Sequence, residues 1–266
     1  MGVTFFMEAR SIRDMDIFEA MSTCRAMRYL KTDEIPADLI EQVITAATWA
    51  PSPGNSQGRD FVIVTDKEKI LAIANSIEGS MAARVASMDR PDKSHRLMLD
   101  GTEYLLKTLK SCPALVFVCG KPIYPHESPR ESFVWSSIYP AAQNLILAAR
   151  ALGLGTVFTT FQGVAEPTIR ETLEIPDDIL IGCMIPMGWP EKKFGPLNRE
   201  PYDSVAHLNS WRGELREFTR LFKTKEPASP KLELSQVLQK FLDLGDSYPK
   251  DRAKEQGHFH ELPHLP

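Results

Sequence analysis

The sequence predicts one domain of about 200 residues in which helices cover a β-sheet, followed by an extended C-terminal arm. Two runs, Ala114–Cys119 (ALVFVC) and Ile179–Met187 (ILIGCMIPM), are short, apolar and β-branched, as buried strands are. Between them, Ala141–Leu152 is apolar nearly all round, interrupted only by Gln143, Asn144 and Arg150, which predicts a central helix. Strands separated by helices give the element order an α/β character.

The remaining elements follow from local signals. Asp16–Thr23 reads as a short helix with Ile17, Phe18 and Met21 on one side. Pro36 begins a second helix, where a missing N–H is harmless, and Leu39, Ile40, Val43, Ile44 and Ala47 keep helical spacing until Pro51 and Pro53 end it. Phe61–Thr65 reads as a buried strand and Lys67–Ser76 as a helix. Residues 78–111 are mixed and polar, with a break at Pro91-Asp92. Pro122–Pro129 is a loop, and the central helix spans Ser132–Leu152. Gly153 and Gly155 close that helix and lead into a strand at Thr156–Thr160. Val164–Leu173 is a further helix, and Gly188-Trp189-Pro190 ends the last strand. From Lys192 the chain is irregular, with a late amphipathic helix expected at Ser235–Leu244.

Composition narrows the function. Hydrophobic residues at 43% and charged residues at 25% are those of an ordinary globular protein. A net charge of −4 provides no general attraction for nucleic acid or anionic lipid. No apolar run is long enough to span a bilayer. Cys24, Cys112, Cys119 and Cys183 are scattered without a Cys-x-x-Cys, as expected of reduced core thiols in a cytoplasmic protein. A secretory signal and a myristoylation motif are both missing from the first residues.

Four segments carry candidate chemistry. Arg25 and Arg28 are three apart and suit an anion, since guanidinium binds phosphate bidentately and keeps its charge; alone, they equally suit a solvated helix end. The loop Pro51–Gln57 offers Ser52, Asn55 and Gln57, whose amides and hydroxyl match a heterocycle with alternating donors and acceptors; it also suits a plain helix-to-strand turn. Gly153–Phe161 has the order helix, glycines, strand, the reverse of a dinucleotide fingerprint, although Thr159 and Thr160 at its end are placed to touch a ligand or simply to form sheet. Arg199, in Pro196–Pro201, is a third candidate phosphate ligand or a surface arginine. The tail His258–His264 holds three histidines, but a terminal Pro-containing segment is more often disordered than metal-binding, and no metal is expected. There is no Ser-His-Asp order, His-Glu-x-x-His helix, P-loop or kinase motif, and no catalytic side chain is assigned.

In order, these segments resemble the FMN-dependent nitroreductase family. The likeness rests on CRAMRYLKTDEIPADLIEQVITAATWAPSPGNSQGRDFVIV, on AAQNLILAARALGLGT and on MGWPEKKFGPLNRE, and covers about residues 20 to 205. It implies an α+β, nitroreductase-like fold with a central mixed β-sheet flanked by helices, in an intertwined homodimer with FMN at the interface. Residues 1–205 would form the FMN-binding domain. Residues 206–266 would be an extension that wraps the partner subunit or is partly disordered.

The resemblance also implies roles. Arg25 would contact the FMN phosphate or ribityl chain, with Ala26 beside it where many members carry Ser. Arg28 would approach the N1/O2 edge of the ring, where reduced flavin gathers negative charge. Ser52, Pro53 and Asn55 would line the flavin from the partner subunit, with Gln57 nearby. Thr159 and Thr160 would sit near N5, and Arg199 would close on the phosphate. Gly58-Arg59 replaces a common Pro-Trp and alters the pocket wall. The implied activity is two-step: NADH or NADPH reduces the flavin, which then reduces a small electron-poor acceptor such as a nitroaromatic, a quinone or an activated alkene. Non-catalytic FMN storage, dehalogenation and flavin fragmentation are the alternatives. No nucleic-acid or membrane partner is expected.

Overall fold

The computed structural model describes residues 15–213. Backbone contacts divide the chain after Asn198, and the first unit holds every regular helix and strand described below. The expected late helix at Ser235–Leu244, the histidine tail and most of the 206–266 extension lie outside the described residues.

Helix α1 (Ile17–Thr23) starts at Asp16, whose carboxylate accepts from the Phe18 N–H at 2.8 Å. Ala20 is its buried residue, while Ile17, Phe18 and Met21 face outward. Pro36 caps α2 (Ala37–Thr48), and β1 (Arg59–Val64) follows the Pro51–Gln57 loop. The helix read as ending at Ser76 continues as α3 (Lys67–Ala86). The break at Pro91-Asp92 then starts α4 (Lys93–Thr108), where Asp92 accepts from the His95 N–H at 2.9 Å. Strand β2 (Ala114–Gly120) is buried throughout, and α5 (Glu131–Ala151) is the long central helix. Strand β3 (Gly155–Thr156), α6 (Gln162–Leu173) and β4 (Leu180–Gly188) complete the unit.

The sheet order is β1-β2-β4-β3, and all three pairings are antiparallel. The architecture is therefore α+β, and the four described strands do not form the mixed sheet expected. Strand direction was not legible because each connection contains a helix long enough to return the chain either way. Two further expectations change. Strand β1 is an edge strand with only Val64 fully buried. The strand read at Thr156–Thr160 reduces to two residues, with Thr159 pairing separately to Met184.

Side-chain alternation on the central strands splits the core into two layers. Leu115, Phe117, Cys119 and Met184 pack with residues of α3, α4 and α6 on one face. Val116, Val118, Cys183 and Ile185 pack with residues of α2 and α5 on the other. No helix among the described residues is long and apolar enough to cross a membrane.

Candidate functional site

The arginine motif is fastened to the β3 edge of the sheet. The Met27 N–H donates to the Thr156 carbonyl at 2.9 Å, and Met27 is buried. Leu30 pairs with Pro190, while the Lys31 N–H donates to Trp189 and the Glu191 N–H to Tyr29. Gly155 allows this approach, since a Cβ there would lie 2.8 Å from Met27 Cγ.

With Met27 turned inward, Arg25 and Ala26 are exposed and Arg28 is half-buried. Neither arginine forms a hydrogen bond or an ion pair with another described residue. Burial lowers the Arg28 pKa, and the neighbouring Arg25 cation lowers it further. Two cations held together without a carboxylate are arranged for an anion from outside the chain's own inventory.

The loop Pro51–Gln57 is the second half. Ser52 Oγ accepts from the Gln57 N–H at 2.9 Å, closing the loop on itself. Gly54, Asn55 and Gln57 all have positive φ, at 57°, 50° and 54°. Left-handed backbone at two non-glycine residues is sustained only where the surroundings fix it, and it turns the amides of Asn55 and Gln57 into exposed positions. Gly54 lies so close against the Tyr124 ring that any Cβ would collide with it. Ser52 and Pro53 are half-buried. Arg59 donates to the Thr48 carbonyl at the end of α2, while its Nη1 is buried without a partner. Its pKa, too, is lowered by burial.

These halves do not meet within the first unit. Arg59, which follows the loop, pairs across β2 to the Leu180 end of β4, whereas Met27 bonds at the level of Met187. The separation is about 14 Å across three strand spacings and about 24 Å along the seven residues from Leu180 to Met187. They occupy opposite corners of the sheet.

The remaining candidates are placed separately. Thr159 is buried, and its hydroxyl donates to the Met184 carbonyl at 2.8 Å, so it is committed to the sheet. Thr160 is exposed. Arg199 opens the second unit and is exposed. A cavity of about 780 Å³ lined by Ile35, Ile40, Ile63, Lys67 and Lys110 contains none of the candidate residues. No cluster of His, Cys, Asp and Glu among the described residues is arranged for a metal ion.

Sequence reading missed Arg150. This buried residue of α5 donates to Thr23 Oγ1 at 3.0 Å and lies 4.1 Å from the centre of the Phe194 ring. A cation in the last turn of an otherwise apolar helix was the available signal. Tyr124, against which Gly54 packs, left no comparable trace.

The chain belongs to the nitroreductase family, a family of oxidoreductases, whose model matches residues 22–189. It is 26% identical over 206 residues to a Methanothermobacter thermautotrophicus protein that carries the name NADH dehydrogenase/NAD(P)H nitroreductase, covering 75% of this chain and 90% of that one. It is 30% identical over 196 residues to the 5,6-dimethylbenzimidazole synthase of Rhodospirillum rubrum, covering 68% and 89%. In fold it is similar to iodotyrosine deiodinase bound to FMN and 3-iodo-L-tyrosine, with a TM-score of 0.58 at 21% identity, covering 74% and 100%. A nitroreductase with bound FMN from Desulfitobacterium hafniense gives a TM-score of 0.56 at 18% identity, covering 73% and 100%.

Proposed function

We propose that this chain is an FMN-dependent oxidoreductase that uses NADH or NADPH to reduce an electron-poor small molecule, and that it works as a homodimer. The observation that carries this reading is the pair Arg25 and Arg28, two adjacent cations without a carboxylate, at the corner of the sheet opposite an amide-rich loop. A second copy would bring the loop of one chain to the arginines of the other. The exposed Tyr139 and Phe158, with Trp135 stacked on Tyr139, provide apolar surface for such a copy.

The residues present fit a flavin mononucleotide. Arg28 would stand at the edge of the ring where negative charge accumulates on reduction, and a fixed cation there stabilises that charge. Arg25 would hold the phosphate, with Ala26 beside it, and the family resemblance makes Arg199 a further phosphate candidate. Ser52, Pro53, Asn55 and Gln57 of the second copy would orient the ring. Thr160 is the free hydroxyl near this edge, since Thr159 is engaged with Met184. When bound, FMN supplies the two-electron chemistry between a reduced nicotinamide and the acceptor. The side chains bind and orient, which agrees with a site built without a protein nucleophile.

The identity to a 5,6-dimethylbenzimidazole synthase supports a second reading, flavin fragmentation on the same fold. The visible spectrum of the purified protein, followed by anaerobic NADH or NADPH, tests the first. Flavin bands that bleach on addition are expected. Bands that persist would remove the nicotinamide step, and a protein that cannot take up FMN would remove the whole reading. Formation of 5,6-dimethylbenzimidazole from bound flavin in air would favour the second.

A further inference from the structure

We propose that Gly101 is a positioning residue for Arg28: the side chain it lacks sets where the Arg28 guanidinium stands, and so how tightly the site holds FMN. This rests on the FMN reading above. Gly101 is buried inside the sixteen-residue α4, where glycine is a poor helix former and alanine the best. A packing reason is visible. A Cβ at Gly101 would lie 3.1 Å from Arg28 Cδ, 3.7 Å from Arg28 Cβ and 3.7 Å from Tyr29 Cε2. The aliphatic stem of Arg28 therefore runs directly over the bare backbone of α4.

The neighbours of Arg28 cannot yield in its place. Met27 is bonded to Thr156, and Leu30 is paired with Pro190. The Tyr29 ring packs against the Tyr104 ring at a 30° tilt with centroids 4.4 Å apart, and Lys192 Nζ lies 3.2 Å from the Tyr29 ring centre. Tyr104 is held in turn by donating to Glu191 at 2.8 Å. Main chain and Tyr29 are thus clamped around Arg28, while its guanidinium has no hydrogen-bond or ion-pair partner among the described residues. Packing of the stem on Gly101 is what remains to aim it. A methyl group at 101 must be accommodated by the Arg28 side chain, which displaces the charge rather than the fold.

The test uses the full-length protein, stripped of flavin, and reads two quantities: the FMN dissociation constant from flavin fluorescence and the melting temperature without FMN. For Gly101→Ala, FMN should bind about ten-fold more weakly, the scale of one misdirected charge-assisted hydrogen bond. Melting should occur at the same temperature or higher, because alanine favours the helix. In an Arg28→Ala background, Gly101→Ala should bring no further loss of affinity. Gly101→Ser is the second variant and should behave alike. Wild-type affinity in Gly101→Ala, an undiminished loss in the Arg28→Ala background, or failure of both variants to fold would each overturn the proposal. If the wild type binds FMN and the variants match it, the positioning role alone fails. If the wild type binds none, the FMN reading fails and takes this role with it.

Discussion

Arg150 Nε donates to Thr23 Oγ1 across 3.0 Å, which ties the last turn of α5 to the end of α1 two residues before Arg25. Arg150 is only 8% exposed, its nearest carboxylate oxygen, on Glu19, is 3.9 Å away, and Phe194 covers one face of its guanidinium. The Leu197 N–H also donates to the Ser22 carbonyl at 3.1 Å, so the same turn anchors the segment after β4. The arginine motif thus depends on a third arginine that need not touch any ligand.

Replacing Arg150 should therefore affect both stability and binding. Arg150→Met is expected to lower unfolding free energy by about 1–3 kcal/mol through the lost hydrogen bond and ring contact. FMN affinity should fall as the Thr23–Arg25 turn loosens. Arg150→Lys should not restore either, because an ammonium lacks the planar face and the fork. Urea unfolding and FMN titration of the two variants check this.

Arg28→Ala should separate binding from folding. The guanidinium is half-buried beside Arg25, and both burial and that neighbour disfavour its charge. Removing it should leave the melting temperature of the flavin-free protein unchanged or raised, while FMN binds about ten-fold or more weakly. A stability loss with unchanged FMN affinity would assign Arg28 to the scaffold.

Opposite placement of the two half-sites predicts complementation. Arg28→Ala and Asn55→Ala homodimers should each bind FMN poorly. Co-refolding them in equal amounts should restore about a quarter of the sites, since half of randomly paired dimers are mixed and each has one undamaged site. No recovery on mixing would place both halves of the site in one chain, or dispense with one of them.

Arg199→Ala should weaken FMN more than riboflavin, because only FMN has the phosphate this cation would hold. Parallel titrations with the two flavins give the comparison. Equal losses for both would move Arg199 away from the phosphate.

Alkaline pH should destabilise the protein through its buried thiols. Burial pushes Cys112 up to about 11 and Cys119 and Cys183 up to about 12, from an ordinary 9.0. In the unfolded chain these groups ionise first, so the stability they contribute is complete below pH 9 and is lost progressively as pH climbs from 9 to the folded values of about 11 and 12. Each thiol should add a slope of roughly 1.4 kcal/mol per pH unit within that window. Denaturation midpoints at pH 8 and pH 10 measure the slope, and Cys112→Ala should make it shallower.

Local pattern specified most of the elements, although not the exposure of the edge strand β1 or the shortness of β3. The apolar runs at Ala114–Cys119 and Ile179–Met187 became β2 and β4, and the apolar Ala141–Leu152 stretch became the C-terminal half of α5, buried at Ala141, Ala142, Leu145 and Ala149. Proline and aspartate at Pro36, Pro51 and Asp92 marked boundaries, because each acts through its own backbone or the next turn. The candidate segments, too, were visible from residue type. Tertiary structure alone decided how they are arranged. Strand direction, the pairing of Thr159 with Met184, and the clamp of Met27 on Thr156 depend on residues distant in the chain. So does the placement of Arg25–Arg28 and Pro51–Gln57 at opposite corners. Local pattern encodes which face of an element is buried, whereas the partner it is buried against emerges only when the sheet closes its hydrogen bonds.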